Sequence, residues 1–163
     1  MKIALLNVKY SPNLGDGVIA ECLEKALGEA MPGADVESVD LAGRVDFAPR
    51  QSLLRRAAIA TLDALPWPLS DAAARYAVAA TLRRTLLPLY AERLAAADAL
   101  VIGGGQLIAD AHLNFPTKIK AALDAAPKAL VALHAVGVDR GFSPEGSRLF
   151  ASAFGRRTIA ALG

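Results

Sequence analysis

Hydrophobic positions along this chain follow two alternating patterns. Ile3 to Asn7 opens as a short continuous apolar run, which reads as a strand buried in a parallel sheet. A loop over 8–17 follows, rich in the turn formers Ser11, Pro12, Asn13, Gly15 and Gly17. The spacing then becomes helical. Val18, Ile19, Cys22, Leu23, Ala26 and Leu27 share one face, with Asp16 as the expected N-cap and Gly28 or Gly33, with Pro32, as the stop. Val36 to Leu41 alternates apolar and polar residues and predicts a second strand. Strand, helix and strand within about forty residues make a βαβ unit.

Region 42–97 reads as a helical insertion. Leu53 to Leu65 has helical spacing, and Pro66-Trp67-Pro68 is a stiff break. Ser70 then caps an alanine-rich helix to Leu87, Pro88 kinks or restarts it, and further turns run to Ala96. Ala99 to Ile102 is a buried strand that stops at Gly103-Gly104-Gly105. A helix over Phe115–Ala126, a strand over Ala129–Val136 and a helix capped by Ser143 with Pro144 in its first turn come next. A last apolar strand spans Thr158–Leu162. About five strands alternating with helices predict an α/β fold: a Rossmann-like, doubly wound, mostly parallel sheet in one domain over 1–163. Ending on a strand leaves one sheet face or edge uncovered, so the natural chain is expected to continue past Gly163.

Composition narrows the class. Hydrophobic residues make up 54% and charged residues 21%, the balance of a globular domain. A net charge of +2 and no basic stripe argue against nucleic acid as a partner. The single Cys22 excludes an internal disulfide and a cysteine-based zinc site, and its apolar neighbours predict a packed core thiol. The apolar start stops at Asn7 and Lys9, short of a signal peptide, and no stretch approaches the roughly 18 residues of a membrane span. A cytoplasmic protein without a transmembrane segment is expected.

Candidate chemistry gathers where strands end, the ligand-binding edge of an open α/β sheet. Three glycines after a buried strand let a ligand or a second backbone approach closely, at an entropic cost beyond that of a plain turn. Asn13-Leu14-Gly15-Asp16-Gly17 precedes a helix N-terminus, which suits an anion, or is a tight turn with an Asp cap. It is neither a dinucleotide fingerprint nor a Walker A loop. The two loops are expected to form one lip of a site. Asp110 serves as a cap, a hydroxyl acceptor or a charge partner. His112 is a general acid or base, or a surface histidine; His134 lies inside an apolar strand as a satisfied core histidine or, near the strand's carboxyl end, as a site residue. Asp139 and Arg140 face the same edge. Arg55, Arg56, Arg83 and Arg84 form a solvated face or an anion clamp. No Ser-His-Asp set, nucleophile elbow or metal-ligand cluster can be built from the sequence.

In order, the chain carries Lys-Ile-x-Leu-Leu-Asn, Asn-x-Gly-Asp, Asp-x-Leu-Val-Ile-Gly-Gly-Gly, a strand ending Val-Gly-Val and a Ser-Pro turn into a helix. This series, over residues 2–162, resembles the polysaccharide pyruvyl transferase family. The resemblance implies transfer of a pyruvyl group from phosphoenolpyruvate to a sugar of a cell-surface polysaccharide as a ketal, in exopolysaccharide biosynthesis for the cell envelope. It implies the N-terminal half of a B-type glycosyltransferase architecture, with the C-terminal domain absent. Asn13, Gly15, Asp16 and Gly103–Gly105 match the family's cleft loops, and Gly17, Gln106 and Arg140 join them as substrate-binding residues. Asp16, Asp110 and His112 take the catalytic roles, contacting hydroxyls or relaying a proton. No cofactor and no metal are implied, and an oligomer is compatible with the reading. The alternatives are a glycosyltransferase half-domain using a nucleotide-sugar and a non-catalytic α/β ligand-binding module.

Overall fold

The structure is a computed structural model that describes residues 1–47 and 66–155, and the backbone of 159–162. The expected helix over Leu53–Leu65, with Arg55 and Arg56, lies outside the described residues. Five strands form one sheet: β1 (Lys2–Asn7), β2 (Asp35–Asp40), β3 (Ala99–Ile108), β4 (Leu130–Val138) and β5 (Ile159–Leu162). All neighbours are parallel, in the order β2-β1-β3-β4-β5. This is the flavodoxin-like variant of the doubly wound sheet, and the strand order reverses between β1 and β3.

Period-two alternation in β1 assigns its two faces. Ile3 and Leu5 pack with Leu23 and Leu27 of α1 (Leu14–Ala30). Ala4 and Leu6 face the other way. They belong to the larger core with Tyr90 and Leu94 of α3 (Leu87–Leu94), Ile119 and Leu123 of α4 (Asn114–Ala125) and Phe150 of α5 (Pro144–Phe154). Each large apolar side chain so buried contributes about 1.5–3 kcal/mol. Tyr90 is fully buried, and its hydroxyl donates to the Leu41 carbonyl at 3.1 Å.

Several boundaries differ from the sequence expectation. Asn13, not Asp16, caps α1: its side-chain oxygen accepts from Gly15 N at 3.1 Å, which leaves Asp16 in the first turn. The buried stripe of α1 is Gly17, Ala20, Leu23 and Leu27, so Val18 and Ile19 stay substantially exposed. That rotation also exposes Cys22, which is not a core thiol. Of the stiff break expected at Pro66-Trp67-Pro68, only Pro66 is non-helical among the described residues. Helix α2 (Trp67–Thr81) begins there, because a proline in the first turn removes an amide that has no helical acceptor. Ser70 is therefore inside α2, and its hydroxyl donates to the Trp67 carbonyl.

The helix restarts at Pro88 as expected, with Pro88 in the first turn of α3. A π-helical turn over Leu82–Leu86 joins α2 to α3, accommodating the amide that Pro88 lacks. Arg83 and Arg84 on this turn are exposed. The glycine triplet does not end β3. The strand continues through it to Ile108, with φ of +80° at Gly104 and +92° at Gly105 and a register shift against β4 between Gly105 and Ile108. Such a bulge re-aims the strand end. Among the described residues no helix is long and apolar enough to cross a membrane.

Candidate functional site

The bulge in β3 carries the chain past the sheet edge to Asp110 and a single 3-10 turn, Ala111–Leu113. His112 and Leu113 have φ of +52° and +57°. Neither is glycine, and each such backbone costs of the order of 1–3 kcal/mol unless its surroundings hold it. Leu113 is buried and anchors the turn, and His112 is left exposed and paired. Its Nδ1 lies 2.8 Å from Asp71 Oδ1 in the first turns of α2. Asp71 Oδ2 forms an ion pair with Arg75, 2.8 Å from Nε, at the i,i+4 spacing of a helix. Arg75 Nη1 in turn donates to Glu145 Oε2 of α5 at 2.6 Å.

This chain of groups sets the charge states. The His112 hydrogen bond, followed by the Arg75 charge, holds the Asp71 carboxyl below the usual carboxylate range. Glu145 and Asp71 together push the Arg75 guanidinium up. An ionised Asp71 at Nδ1 places the proton of neutral imidazole on that nitrogen, so Nε2 carries the free lone pair.

Asp110 has a different task from capping its own turn. Its Oδ2 accepts from Ser143 N at 2.6 Å and from Ser143 Oγ at 2.7 Å. Ser143 Oγ accepts from Gly146 N at 3.0 Å and so caps α5. Asp110 thereby ties the end of β3 to the start of α5. Trp67, Asp71, Arg75, Asp110, His112 and Ser143 enclose a cavity of about 280 Å³ beyond the carboxyl ends of β3 and β4. Two expected catalytic residues, Asp110 and His112, therefore share one pocket.

The remaining expected site residues lie elsewhere. Asn13, Gly15, Asp16 and Gly17 form the start of α1, which presses against the glycine triplet. A Cβ at Gly103 would lie 2.6 Å from Leu23 Cδ2 and 2.9 Å from the His134 carbonyl. One at Gly104 would meet Ile19 Cγ2 at 2.9 Å, and one at Gly105 would meet Asp16 Oδ1 at 3.0 Å. These glycines let α1 approach through Leu23, Ile19 and Asp16, and Gly103 lets the His134 carbonyl of β4 approach as well. Gly17 is buried against the Lys9 carbonyl and the Phe47 ring. Gln106 and Arg140 are exposed, and the Arg140 amide donates to Asp139 Oδ1. His134 is not a satisfied core histidine: its Nδ1 is buried without a hydrogen-bond partner among the described residues.

Trp67, Asp71, Arg75 and Glu145 were not expected at the site. The Asp71–Arg75 spacing was visible in the sequence, but nothing local joins Asp71 to a histidine 41 residues away. A larger cavity of about 370 Å³ opens beside β2, lined by Lys9, Glu24, Ser38, Asp40, Arg44 and Arg93 among others. Lys9 pairs with Glu24 and Arg93 with Glu37, while Arg44 Nη1 lies 3.8 Å from the buried Asp40 and has no hydrogen-bond partner among the described residues. Glu24 holds the Lys9 ammonium pKa up.

No family model matches the chain, and no curated protein matches it. Solved structures of similar chain path include an azoreductase from Bacillus anthracis str. Sterne, at 16% identity and a TM-score of 0.48, over 99% of this chain and 85% of that one. A second is the azoreductase AzrA, at 15% identity and a TM-score of 0.45, over 99% of this chain and 86% of that one. These are likenesses of shape.

The resemblance to polysaccharide pyruvyl transferases is not upheld: no family model matches the chain. With it fall pyruvyl transfer, phosphoenolpyruvate and a polysaccharide acceptor as partners, and a place in exopolysaccharide biosynthesis. Neither the nucleotide-sugar half-domain nor the non-catalytic module finds support. The electrostatics agree. Asp16 occupies the first turn of α1, where an anion was expected, and Asp71 and Asp110 line the pocket. Such carboxylates repel a phosphate and carboxylate donor.

Proposed function

We propose that this chain is an enzyme of general acid–base chemistry, with His112 as the group that moves the proton. The observation that carries this reading is the His112–Asp71 pair, 2.8 Å apart on the wall of a cavity at the carboxyl edge of the sheet. Asp71 acts as a positioning residue: it selects the Nδ1–H tautomer, orients the ring and stabilises the imidazolium once formed. His112 Nε2 then accepts a proton from a hydroxyl or a water held in the cavity and returns it to the leaving atom. Arg75 locks the second oxygen of Asp71, and Glu145 locks Arg75, so the base sits on a fixed support. The left-handed backbone at His112 fits this role, since strained residues concentrate where geometry serves chemistry.

Cleavage of 4-nitrophenyl esters tests the reading, because water activation at Nε2 suffices for it. The native chain should show saturable turnover. His112→Gln should lower kcat by about 10²–10⁴-fold, the usual range for a lost general base, and His134→Gln should not. Equal rates for the native chain and His112→Gln would contradict the assignment.

A further inference from the structure

We propose that the cavity holding His112 takes a small organic ammonium ion, with Asp110 Oδ1 and the Trp67 ring as its receptors. The proposal rests on the reading of this cavity as the active site, and names its ligand class. Two carboxylates, Asp71 and Asp110, and one guanidinium, Arg75, line the cavity, and Glu145 reaches Arg75 from outside the lining. With neutral imidazole the lining carries two negative charges against one positive, so the cavity favours a cation.

The two charged contacts of Arg75 are with Asp71 and Glu145, so those carboxylates are compensated. Asp110 is not. Both of its hydrogen bonds, from Ser143 N and Ser143 Oγ, end on Oδ2, and neither donor carries a net charge. Oδ1 has no partner among the described residues. An ammonium N–H supplies the missing donor and the missing charge together. Trp67 lines the same cavity and is 74% exposed, which leaves its ring open to a cation.

A metal ion is a poorer fit. Among the described residues no three His, Cys, Asp or Glu side chains gather as a ligand set. The alkyl part of an organic ammonium also uses the indole face, which a hydrated metal ion does not.

Trp67 is the one tryptophan of the chain, so its fluorescence reports this cavity alone. Titration with butylammonium chloride, sodium butyrate and 1-butanol at fixed ionic strength decides the matter. Butylammonium should change the emission saturably, with butanol and butyrate at least tenfold weaker. Asp110→Asn keeps an acceptor for Ser143 and removes the charge; it should weaken butylammonium binding at least tenfold. Butyrate or butanol binding as tightly as butylammonium in the native chain would overturn the proposal, whether or not the variant folds. So would unchanged affinity in a folded Asp110→Asn chain. Ester turnover without any butylammonium response would overturn it and leave the acid–base reading standing. Butylammonium binding to an inactive His112→Gln chain would support it.

Discussion

Asp110 and Ser143 sit 33 residues apart, and one carboxylate oxygen of the first accepts both the amide and the hydroxyl of the second, at 2.6 and 2.7 Å. This junction fixes the β3 end against the α5 start. Removing it with Asp110→Ala leaves a partly buried amide without its acceptor and should cost about 1–3 kcal/mol in urea unfolding. Ser143→Ala loses the helix cap and should cost about 1 kcal/mol. The double variant should cost less than the sum, because both remove the Ser143 Oγ–Asp110 bond. Gly146→Ala would overlap Asp110 Oδ2 with its new Cβ and should destabilise too, though alanine is the better helix former.

The glycines separate by sign. Gly104→Val combines a left-handed backbone with a Cβ 2.9 Å from Ile19 and should destabilise the fold by about 2–4 kcal/mol. Gly103→Ala drives its Cβ towards the His134 carbonyl, which cannot rotate away, and should also destabilise. Gly28→Ala is the opposite case. Nothing lies within 4 Å of that Cβ, and Gly28 is inside α1, so stability should rise by about 0.5–1 kcal/mol. Chemical denaturation of the three variants checks the signs.

Much of the sheet was legible because a continuous apolar run such as Ile3–Leu6 has few other uses, and the βαβ alternation leaves few topologies. The glycine triplet misled for a physical reason. Glycine permits a turn, a bulge or the approach of another element, and the choice between them rests with Leu23 and Ile19, 80 and 85 residues upstream of Gly103 and Gly104. Cys22 misled similarly: apolar residues covered more than one side of α1, and Gly17 and Ala20 show which side turns inward. At the site, His112 and Asp110 were legible as residues near a strand end. Asp71 was not, since its pairing with His112 exists only once α2 lies beside the β3 end.

Lys118 gives the clearest pH prediction. It is 8% exposed, and burial pushes its ammonium pKa down from 10.5 to about 8, with Arg44 adding to the effect and Asp40 opposing it. Between those values the unfolded chain binds more protons than the folded one, so stability rises with pH. The contribution is fully present above 10.5 and is lost as pH falls through about 8. Its size is of the order of a few kcal/mol. Lys118→Met should be more stable than the native chain at neutral pH, and should lose this rise between pH 8 and 10.5. Urea midpoints of both chains across that window measure it.

The ¹⁵N chemical shifts of the His112 ring test the central claim most directly. In the neutral ring the two nitrogen shifts report which nitrogen holds the proton. In the native chain the proton should sit on Nδ1, facing Asp71, with Nε2 unprotonated; Asp71→Asn should abolish that preference. A native His112 carrying its proton on Nε2, or one whose tautomer ignores Asp71→Asn, would contradict the account.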